Sequence, residues 1–334
     1  FITGTYRSGT TILSRMLDAH PDLNIAYDSV NYFRWFIKTN RNSSDYKNIV
    51  NEVGDRLLER YGVALDRKKI IGNILKSNYV VEHKHIYSAI MDDYMAYSGK
   101  RWGEKTVLEW TSIPKFLDMF PEGKALHIIR DPRDVVSSFK SMTFEPGDRY
   151  LDAIFACMHS MDTAIEYINS LEKEKYFFVN YELLITEPKN QVKRICEFLG
   201  INFNNRMLDS NNHLDIQGKK LLLKSHSSYG SSKDLPMGKW KTELSNIEIN
   251  FIEGFLRDQM RRFEYEISNS DNNLHEILNI IKSEDLLLSR FREYLRTGKG
   301  IEEYPSDPKD PKNWTVISTE DDNGAAGRYI RNKT

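Results

Sequence analysis

The sequence is poor in cysteine, in long apolar runs and in excess charge of either sign. Its two cysteines, Cys157 and Cys196, are too few for a disulfide framework, and both lie in amphipathic segments that predict helices. We therefore expect buried free thiols, a reducing compartment and a cytoplasmic location. No stretch reaches the roughly 20 apolar residues that cross a bilayer. With 47 basic and 48 acidic side chains, the formal net charge is -1, so that no overall field attracts nucleic acid or an anionic membrane.

The remaining composition is that of a folded globular protein. Hydrophobic residues make up 40% of the 334 residues and aromatic residues 12%, which excludes disorder of the whole chain. The chain opens on Phe1 rather than on an initiator Met, directly on a predicted core strand. We therefore expect the full protein to contain preceding residues, which leaves open a leader, an anchor or an upstream domain. A homo-oligomer is equally open.

Short apolar strands alternate with longer helical segments along most of the chain. Strands are predicted at 1–4, 125–130 and 176–181, and helices at 10–19, 29–39, 46–60, 86–97, 148–171, 187–199, 245–262 and 272–297. A further helix starts at Asp131-Pro132, because Asp is a good N-cap and Pro is tolerated at the first helical position. This alternation predicts an α/β fold with a central parallel sheet flanked by helices in three layers. The polar, basic segment 204–240 predicts a loop over a site.

The segment GTYRSGTT, residues 4–11, matches a phosphate-binding P-loop that lacks its lysine. Gly4 and Gly9 keep the spacing of G-x-x-x-x-G-K-[ST], Thr10 stands at the lysine position, and Thr11 fills the last position. A loop between a strand and a helix points backbone N–H groups and the positive end of the helix dipole at an anion. Arg7 is the positive side chain of the loop, and its planar fork suits a phosphate or sulfonate. Without the lysine, an Mg-nucleotide hydrolase is disfavoured.

Two ordered motifs then carry a family resemblance. TYRSGTTIL and the later IIRDPRDVVSSF together resemble the signatures of sulfotransferases that use 3'-phosphoadenosine 5'-phosphosulfate (PAPS), from residue 1 to about 262. The run RSGTTILSRMLDAHPD is most similar to the tyrosylprotein and bacterial branches. The resemblance implies a P-loop-like fold in domain 1–267, followed by a helical C-terminal extension and irregular tail over 268–334. It also explains the missing lysine, since PAPS has no γ-phosphate.

The resemblance assigns residues to the donor by position. The first motif would contact the 5'-phosphosulfate through Arg7, Ser8, Gly9, Thr10 and Thr11. The 3'-phosphate would be held by Arg130 and Ser138, although an ion pair of Arg130 with Asp131 or Asp134 is an alternative interpretation. Further nucleotide contacts would come from Tyr181, Gly238, Lys239 and Trp240, supplemented by Lys219, Lys220 or Lys224. Gly238 departs from the serine of tyrosylprotein enzymes, which weakens a tyrosine-sulfating interpretation.

The same resemblance suggests the catalytic groups. Lys105, in WGEKT, matches a family lysine that stabilises charge on the departing phosphate oxygen together with Arg7, and Asp28 matches the register of a glutamate that serves as base. Alternative bases are Glu82, His83 and His85 in VVEHKHIY, where the two histidines would share one face of a strand. Two histidines without further ligands do not indicate a metal, and sulfonate transfer needs none.

These patterns favour a PAPS-dependent O-sulfotransferase that releases 3'-phosphoadenosine 5'-phosphate (PAP). Its acceptor would be a hydroxyl of a small metabolite, a sugar, a carrier-bound intermediate or a protein tyrosine. Two alternatives remain: a P-loop kinase-like phosphotransferase that lacks the usual lysine, and a non-catalytic nucleotide-binding module.

Overall fold

The protein is built on one parallel sheet. A computed structural model describes residues 1–76, 80–95, 100–140, 149–213, 237–268, 274–283 and 285–300. Within them the strands are β1 Ile2–Gly4, β2 Leu23–Tyr27, β3 Arg101–Lys105, β4 Ala125–Ile129 and β5 Tyr176–Asn180. They pair in the order β2-β3-β1-β4-β5, and every pairing is parallel. The predicted α/β class with a central parallel sheet is confirmed.

The sheet is bounded by helices and short helical turns. The α-helices are α1 Thr10–Asp18, α2 Tyr46–Tyr61, α3 Arg67–Lys76, α4 His83–Tyr94, α5 Ile113–Met119, α6 Pro132–Lys140, α7 Ala153–Ser170, α8 Tyr181–Thr186, α9 Pro188–Leu199, α10 Trp240–Glu243, α11 Asn246–Arg262, α12 Leu274–Ser283 and α13 Asp285–Thr297. A π-helix covers Phe33–Ile37, and 3-10 turns cover Ser43–Asp45, Trp110–Ser112, Arg149–Asp152, Asn205–Leu208 and Ser210–Asn212. The helix predicted at 29–39 is therefore shorter and is the π-helix Phe33–Ile37. The helix predicted at 272–297 is divided into α12 and α13.

Strand β4 shows why helices cover both faces. Leu126 and Ile128 pack among side chains of α1 and α9, whereas the alternate residues Ala125 and Ile129 pack among side chains of α7 and its neighbours. Successive side chains of a strand point to opposite faces, so a strand that is buried at every position, as β4 is, must be covered on both faces. The result is the predicted three-layer arrangement.

Two strands were absent from the prediction. β2 follows the turn after α1, and β3 is the sequence RWGEK, in which charged residues and glycine conceal the strand pattern. All five residues of β2 pair with β3, from Leu23 opposite Arg101 to Tyr27 opposite Lys105. Their pairing puts Asp28 directly after a strand end rather than within a long loop.

The strand expected around His83 and His85 is wrong, because helix α4 begins at His83. Its first turn is closed by a capping box in which Glu82 and His85 satisfy each other's backbone N–H groups. This reciprocal capping favours a helix start at the position where the apolar alternation suggested a strand.

The C-terminal helices share a core with the rest of the chain. Ile277, Ile281 and Leu287 from α12 and α13 are buried in one cluster with side chains of α7 and α11. A helical C-terminal extension is therefore present, while the domain boundary at 267/268 stays a prediction. The tail 301–334 and most of the predicted loop, 214–236, lie outside the described residues.

Both cysteines are free and buried, as expected. The compartment and the cytoplasmic location stay predictions. In the described part of the chain, no helix is both long enough and apolar enough to span a bilayer.

Candidate active site

The candidate residues meet at one edge of the sheet, because all five strands are parallel and their carboxyl ends lie together. Asp28 follows β2, Lys105 ends β3, the Arg7 loop follows β1, Arg130 follows β4, and Tyr181 follows β5. Ligands of open parallel sheets gather at this edge. The order of the strands therefore arranges the predicted base and lysine on one side of the loop, and the predicted nucleotide contacts on the other.

Two glycines of the loop are required by close contacts. A Cβ on Gly4 would lie 2.6 Å from the carbonyl oxygen of Ile128 in the neighbouring strand. Gly9 has a φ of 97°, and a Cβ there would lie 2.3 Å from Cδ2 of Tyr181. The loop therefore packs tightly against β4 and against the Tyr181 ring, which explains why the P-loop spacing of glycines is present.

Arg7 and Arg130 are joined through the loop backbone. Nη1 of Arg130 donates to the carbonyl oxygen of Arg7 at 2.9 Å. Nε of Arg7 donates to Oγ of Ser138 in α6 at 2.7 Å. Arg7 itself has a positive φ of 68°, an uncommon conformation for a residue with a side chain. The structure thus brings both predicted arginines and Ser138 into one connected group.

This group has the charge pattern of an anion site. Burial lowers the pKa of Arg7, and the nearby Arg130 guanidinium lowers it further. Helix α1 has no acidic residue in its first turn, and its N-cap residue is Gly9, which has no side chain to cap the helix. Two neighbouring guanidinium groups and an uncapped helix N-terminus would both be stabilised by an oxyanion.

Tyr181 contributes a buried ring to the same group. Its ring lies under the guanidinium of Arg130, 4.5 Å from the ring centroid to Cζ, and against Gly9. Burial raises the pKa of the Tyr181 phenol to about 12. The phenol is therefore neutral at physiological pH, and the ring holds Arg130 by a cation–π contact.

Asp134 links Arg130 to the segment at 238–240. Its Oδ2 lies 3.8 Å from Nη2 of Arg130 and accepts the backbone N–H of Gly238 at 2.7 Å. Its Oδ1 accepts the backbone N–H of Trp240 at 3.2 Å. The alternative ion pair of Arg130 with Asp134 is therefore present, alongside the contact with the loop. The Asp134 carboxylate thus holds the backbone of residues 238–240 beside Arg130, the arginine predicted to bind the 3'-phosphate.

The side chains of this segment differ in exposure. Lys239 is exposed, whereas Trp240 is buried with Cζ of Arg133 3.9 Å from its ring centroid. Their predicted contacts with the donor stay predictions, as do those of Gly238. Lys219, Lys220 and Lys224 lie outside the described residues.

Asp28 is held in an unusual backbone conformation. Its φ is 47°, a left-handed geometry that costs a residue other than glycine roughly 1 kcal/mol or more. Its N–H donates to the carbonyl oxygen of Lys105 at 2.9 Å, and its own carbonyl accepts from Asn31 Nδ2 at 2.9 Å and from Tyr61 OH at 3.1 Å. These three bonds fix the direction of the Asp28 side chain.

The carboxylate of Asp28 forms a buried ion pair with Lys105. Nζ of Lys105 donates to Oδ2 of Asp28, and the two side chains are only 4% and 7% exposed, respectively. The other oxygen, Oδ1, is buried and has no hydrogen-bond partner among the described residues. A buried acceptor without a partner costs stability unless a ligand satisfies it. Oδ1 is therefore the oxygen of this pair whose hydrogen-bonding capacity is not met within the described residues.

The alternative bases lie elsewhere, at the start of α4. Glu82 pairs with Lys84 at 2.7 Å, and His85 is part of the capping box. Both ring nitrogens of His83 are engaged, with Tyr32 OH at 2.8 Å and with the carbonyl oxygen of Arg41 at 2.9 Å. Of the candidate bases, only Asp28 shares the strand-end group with Lys105.

Within the described ranges, no three His, Cys, Asp or Glu side chains are grouped as metal ligands. The prediction of a metal-free reaction stays a prediction.

Comparison with known proteins identifies the family. A model of the sulfotransferase family matches residues 1–205. This chain belongs to the sulfotransferase family. Protein-tyrosine sulfotransferase A of Caenorhabditis elegans is 28% identical over 229 residues, which cover 67% of this chain and 54% of that protein. The protein-tyrosine sulfotransferase of Drosophila melanogaster is 26% identical over 214 residues, 62% of this chain and 39% of that protein. The chain thus spans about half the length of the curated relatives it matches.

Solved sulfotransferase domains share the fold. The domain from the Synechococcus PCC 7002 olefin synthase superposes with a TM-score of 0.56 at 19% identity, covering 80% of this chain and 94% of that domain. The domain from the curacin biosynthetic pathway gives a TM-score of 0.53 at 19% identity, and the match covers 80% of this chain and 97% of that domain. At this identity the likeness concerns the fold alone.

The sequence did not point to two residues next to the candidate catalytic pair, the half-buried Tyr27 and the buried Glu104. Tyr27 lies directly before Asp28 and contacts Lys105, with Nζ 4.3 Å from the ring centroid. Glu104 precedes Lys105 and accepts from Asn31 N and from Tyr87 OH, both at 2.5 Å. A charged residue in a buried strand is the signal that could have indicated Glu104. No local pattern indicated Tyr27, because its contacts come from other elements.

Proposed function

We propose that this chain transfers a sulfonate group from PAPS to a hydroxyl group of an acceptor and releases PAP. One observation carries the proposal: the sheet order gathers the glycine-containing loop at residues 4–11, two linked arginines and a buried lysine–carboxylate pair at one edge. A kinase-like site would need groups for a γ-phosphate and its Mg²⁺, and the loop has Thr10 at the lysine position.

The described residues fit a donor with two anionic ends. Arg7, with the uncapped N-terminus of α1, would hold the phosphosulfate together with Ser8, Gly9, Thr10 and Thr11. Arg130 and Ser138 would hold the 3'-phosphate, and their hydrogen bonds to the backbone and side chain of Arg7 would set the spacing between the two ends. Burial and, to a smaller extent, the like charge of Arg130 lower the pKa of Arg7, and a bound dianion would relieve the repulsion between the arginines.

When bound, PAPS supplies an activated sulfonate whose bond to the 5'-phosphate oxygen breaks as the acceptor oxygen bonds to sulfur. Oδ1 of Asp28 accepts the proton of the acceptor hydroxyl, because it is the buried carboxylate oxygen that needs a partner. Once Asp28 is protonated, its negative charge no longer balances Lys105. The ammonium group is then free to stabilise the charge on the departing phosphate oxygen.

The proposed reaction requires an acceptor with a hydroxyl group, but it does not specify which class of molecule carries that group. The curated relatives are named for protein tyrosine. The family resemblance of the sequence, however, puts Gly238 at the position of a serine in the tyrosylprotein enzymes. We therefore propose testing both a tyrosine-containing acidic peptide and small or carrier-bound alcohols as acceptors.

The first experiment is ligand binding. PAP should raise the melting temperature and bind with measurable heat, whereas Mg-ATP should do neither. Arg130→Ala should weaken PAP binding by about tenfold or more, since a charged hydrogen-bonding group is worth about 1.5–3 kcal/mol. Arg261→Ala, which removes an exposed arginine of α11, is the matched control and should bind PAP as the wild type does.

The second experiment is turnover with labelled PAPS and the acceptor panel. Asp28→Asn should abolish transfer while PAP binding is retained, because Asp28 acts on the acceptor rather than on the donor. Equal stabilisation by Mg-ATP would favour the kinase-like alternative. PAP binding without transfer to any acceptor would favour a non-catalytic module.

A further inference from the structure

Tyr27 joins the donor loop to the candidate catalytic pair. It ends β2, opposite Lys105 in the strand register, and directly precedes Asp28. Its hydroxyl donates to Oγ1 of Thr11 at 2.9 Å, and Thr11 belongs to the first turn of α1. Its ring lies 4.3 Å from Nζ of Lys105, measured from the ring centroid. One side chain therefore contacts both halves of the site.

The ring also carries a second cation. Cζ of Arg15, from the middle of α1, lies 4.0 Å from the Tyr27 ring centroid, and Arg15 is buried. Two buried cations against one aromatic ring are attracted by its electron-rich face, and this attraction is strongest where water is excluded. Helix α1 is thus tied to β2 at two points, one through Arg15 and one through Thr11.

We infer that Tyr27 is a positioning residue that sets the distance between the donor loop and the Lys105–Asp28 pair. The inference rests on the proposed function, in which an acceptor oxygen at Asp28 must approach a sulfur held at the α1 N-terminus. Transfer in line requires these two sites to keep a fixed separation, and small displacements of reacting groups slow a reaction strongly. The hydroxyl orients Thr11 toward the donor, and the ring holds the Lys105 ammonium beside Asp28.

Two substitutions separate the hydroxyl from the ring. Tyr27→Phe removes only the bond to Thr11, and we expect about fivefold weaker PAP binding by calorimetry, the effect of one lost hydrogen bond. Turnover of bound donor should fall by no more than about the same factor, because the link to the loop is lost while the ring still holds Lys105 beside Asp28. Tyr27→Leu also removes the cation–π contact, and turnover should fall about tenfold or more beyond the Phe variant. Higher turnover in Tyr27→Phe than in Tyr27→Leu shows that the aromatic ring supports Lys105, which a role in folding alone would not require.

Tyr176→Phe is the matched control. It removes a buried tyrosine hydroxyl that lies 3.0 Å from Nδ1 of His127, within the sheet core, and it should leave PAP affinity and turnover unchanged. A control that loses affinity or turnover like Tyr27→Phe would overturn the inference, because generic loss of a buried hydroxyl would then explain both.

The outcomes distinguish the inference from the function on which it rests. If the wild-type protein binds no PAP, the proposed function fails, and the role of Tyr27 is overturned with it. If the wild type binds PAP and Tyr27→Phe binds it equally well, only the link to Thr11 is refuted. If Tyr27→Leu turns over as fast as Tyr27→Phe, the support of Lys105 by the ring is refuted.

Discussion

The buried pair of Lys105 and Asp28 predicts an asymmetric loss of stability. Removing one partner of a buried ion pair costs about 3–5 kcal/mol, because the other charge is left in a medium of low dielectric. Lys105→Met would leave the Asp28 carboxylate without its cation, while Oδ1 already has no partner among the described residues. We expect this substitution to lower the free energy of unfolding by about 4 kcal/mol, in the middle of that range.

Asp28→Asn should be milder. The Lys105 ammonium would still lie against the ring of Tyr27, at 4.3 Å from its centroid, and a desolvated cation–π contact is worth about 2 kcal/mol. The amide oxygen of the new asparagine can also accept a hydrogen bond from Nζ. We therefore expect a loss of about 2 kcal/mol, the cost of the broken pair less this compensation.

Equilibrium unfolding in urea, followed by tryptophan fluorescence at pH 7.5, measures both losses and their coupling. The double variant should lose about 3 kcal/mol rather than the sum of the single losses, because contacting residues couple by up to about 3 kcal/mol. Lys105→Arg keeps the positive charge and is the matched control, with a smaller loss than Lys105→Met. Additive losses, or a larger loss for Asp28→Asn than for Lys105→Met, would refute the buried pair.

Two further predictions concern the loop and a buried acid. Gly9→Ala should nearly abolish PAP binding in calorimetry, since its Cβ would lie 2.3 Å from the Tyr181 ring at a φ of 97°; wild-type affinity in this variant would contradict the loop geometry. Burial raises the pKa of Glu104 from 4.5 to about 7, and that of Glu182 by the same amount. The folded state then keeps protons that the unfolded chain releases, so each acid lowers the free energy of unfolding by up to about 3 kcal/mol as pH rises from about 4.5 to about 7. Glu104→Gln should remove about half of this combined slope in urea titrations at several pH values, and an unchanged slope would show that Glu104 ionises normally.

The donor motifs were predictable because their signals are local. Gly4 and Gly9 keep a spacing that only a strand-loop-helix unit requires, and Asp131-Pro132 marks a helix start directly after a buried strand. The helix around Ile12 was equally predictable from the spacing of its apolar residues. In each case the sequence pattern itself is local, although the contacts that require Gly4 and Gly9 come from the distant residues Ile128 and Tyr181.

The edge strand β2 and its neighbour β3 were not predictable in this way. Glu104 and Lys105 are tolerated in a buried strand only because Tyr87, Asn31 and Asp28 satisfy them. These partners come from other segments, so that no window around RWGEK contains the reason for its burial. The strand predicted at His83 failed for the related reason that a reciprocal capping pair outweighed an apolar alternation.

The sequence by itself determined that this chain carries a loop with the glycine spacing of a P-loop but without its lysine, a second basic motif after a buried strand, and hence a family. Only the tertiary structure decided which side chains act together. The order β2-β3-β1-β4-β5 brings Asp28 to Lys105, and Arg7 to Arg130. Asp134 reaches Gly238 across 104 positions of the chain. Strand pairing over such separations depends on burial of both sheet faces at once, a property of the whole fold that no local pattern contains.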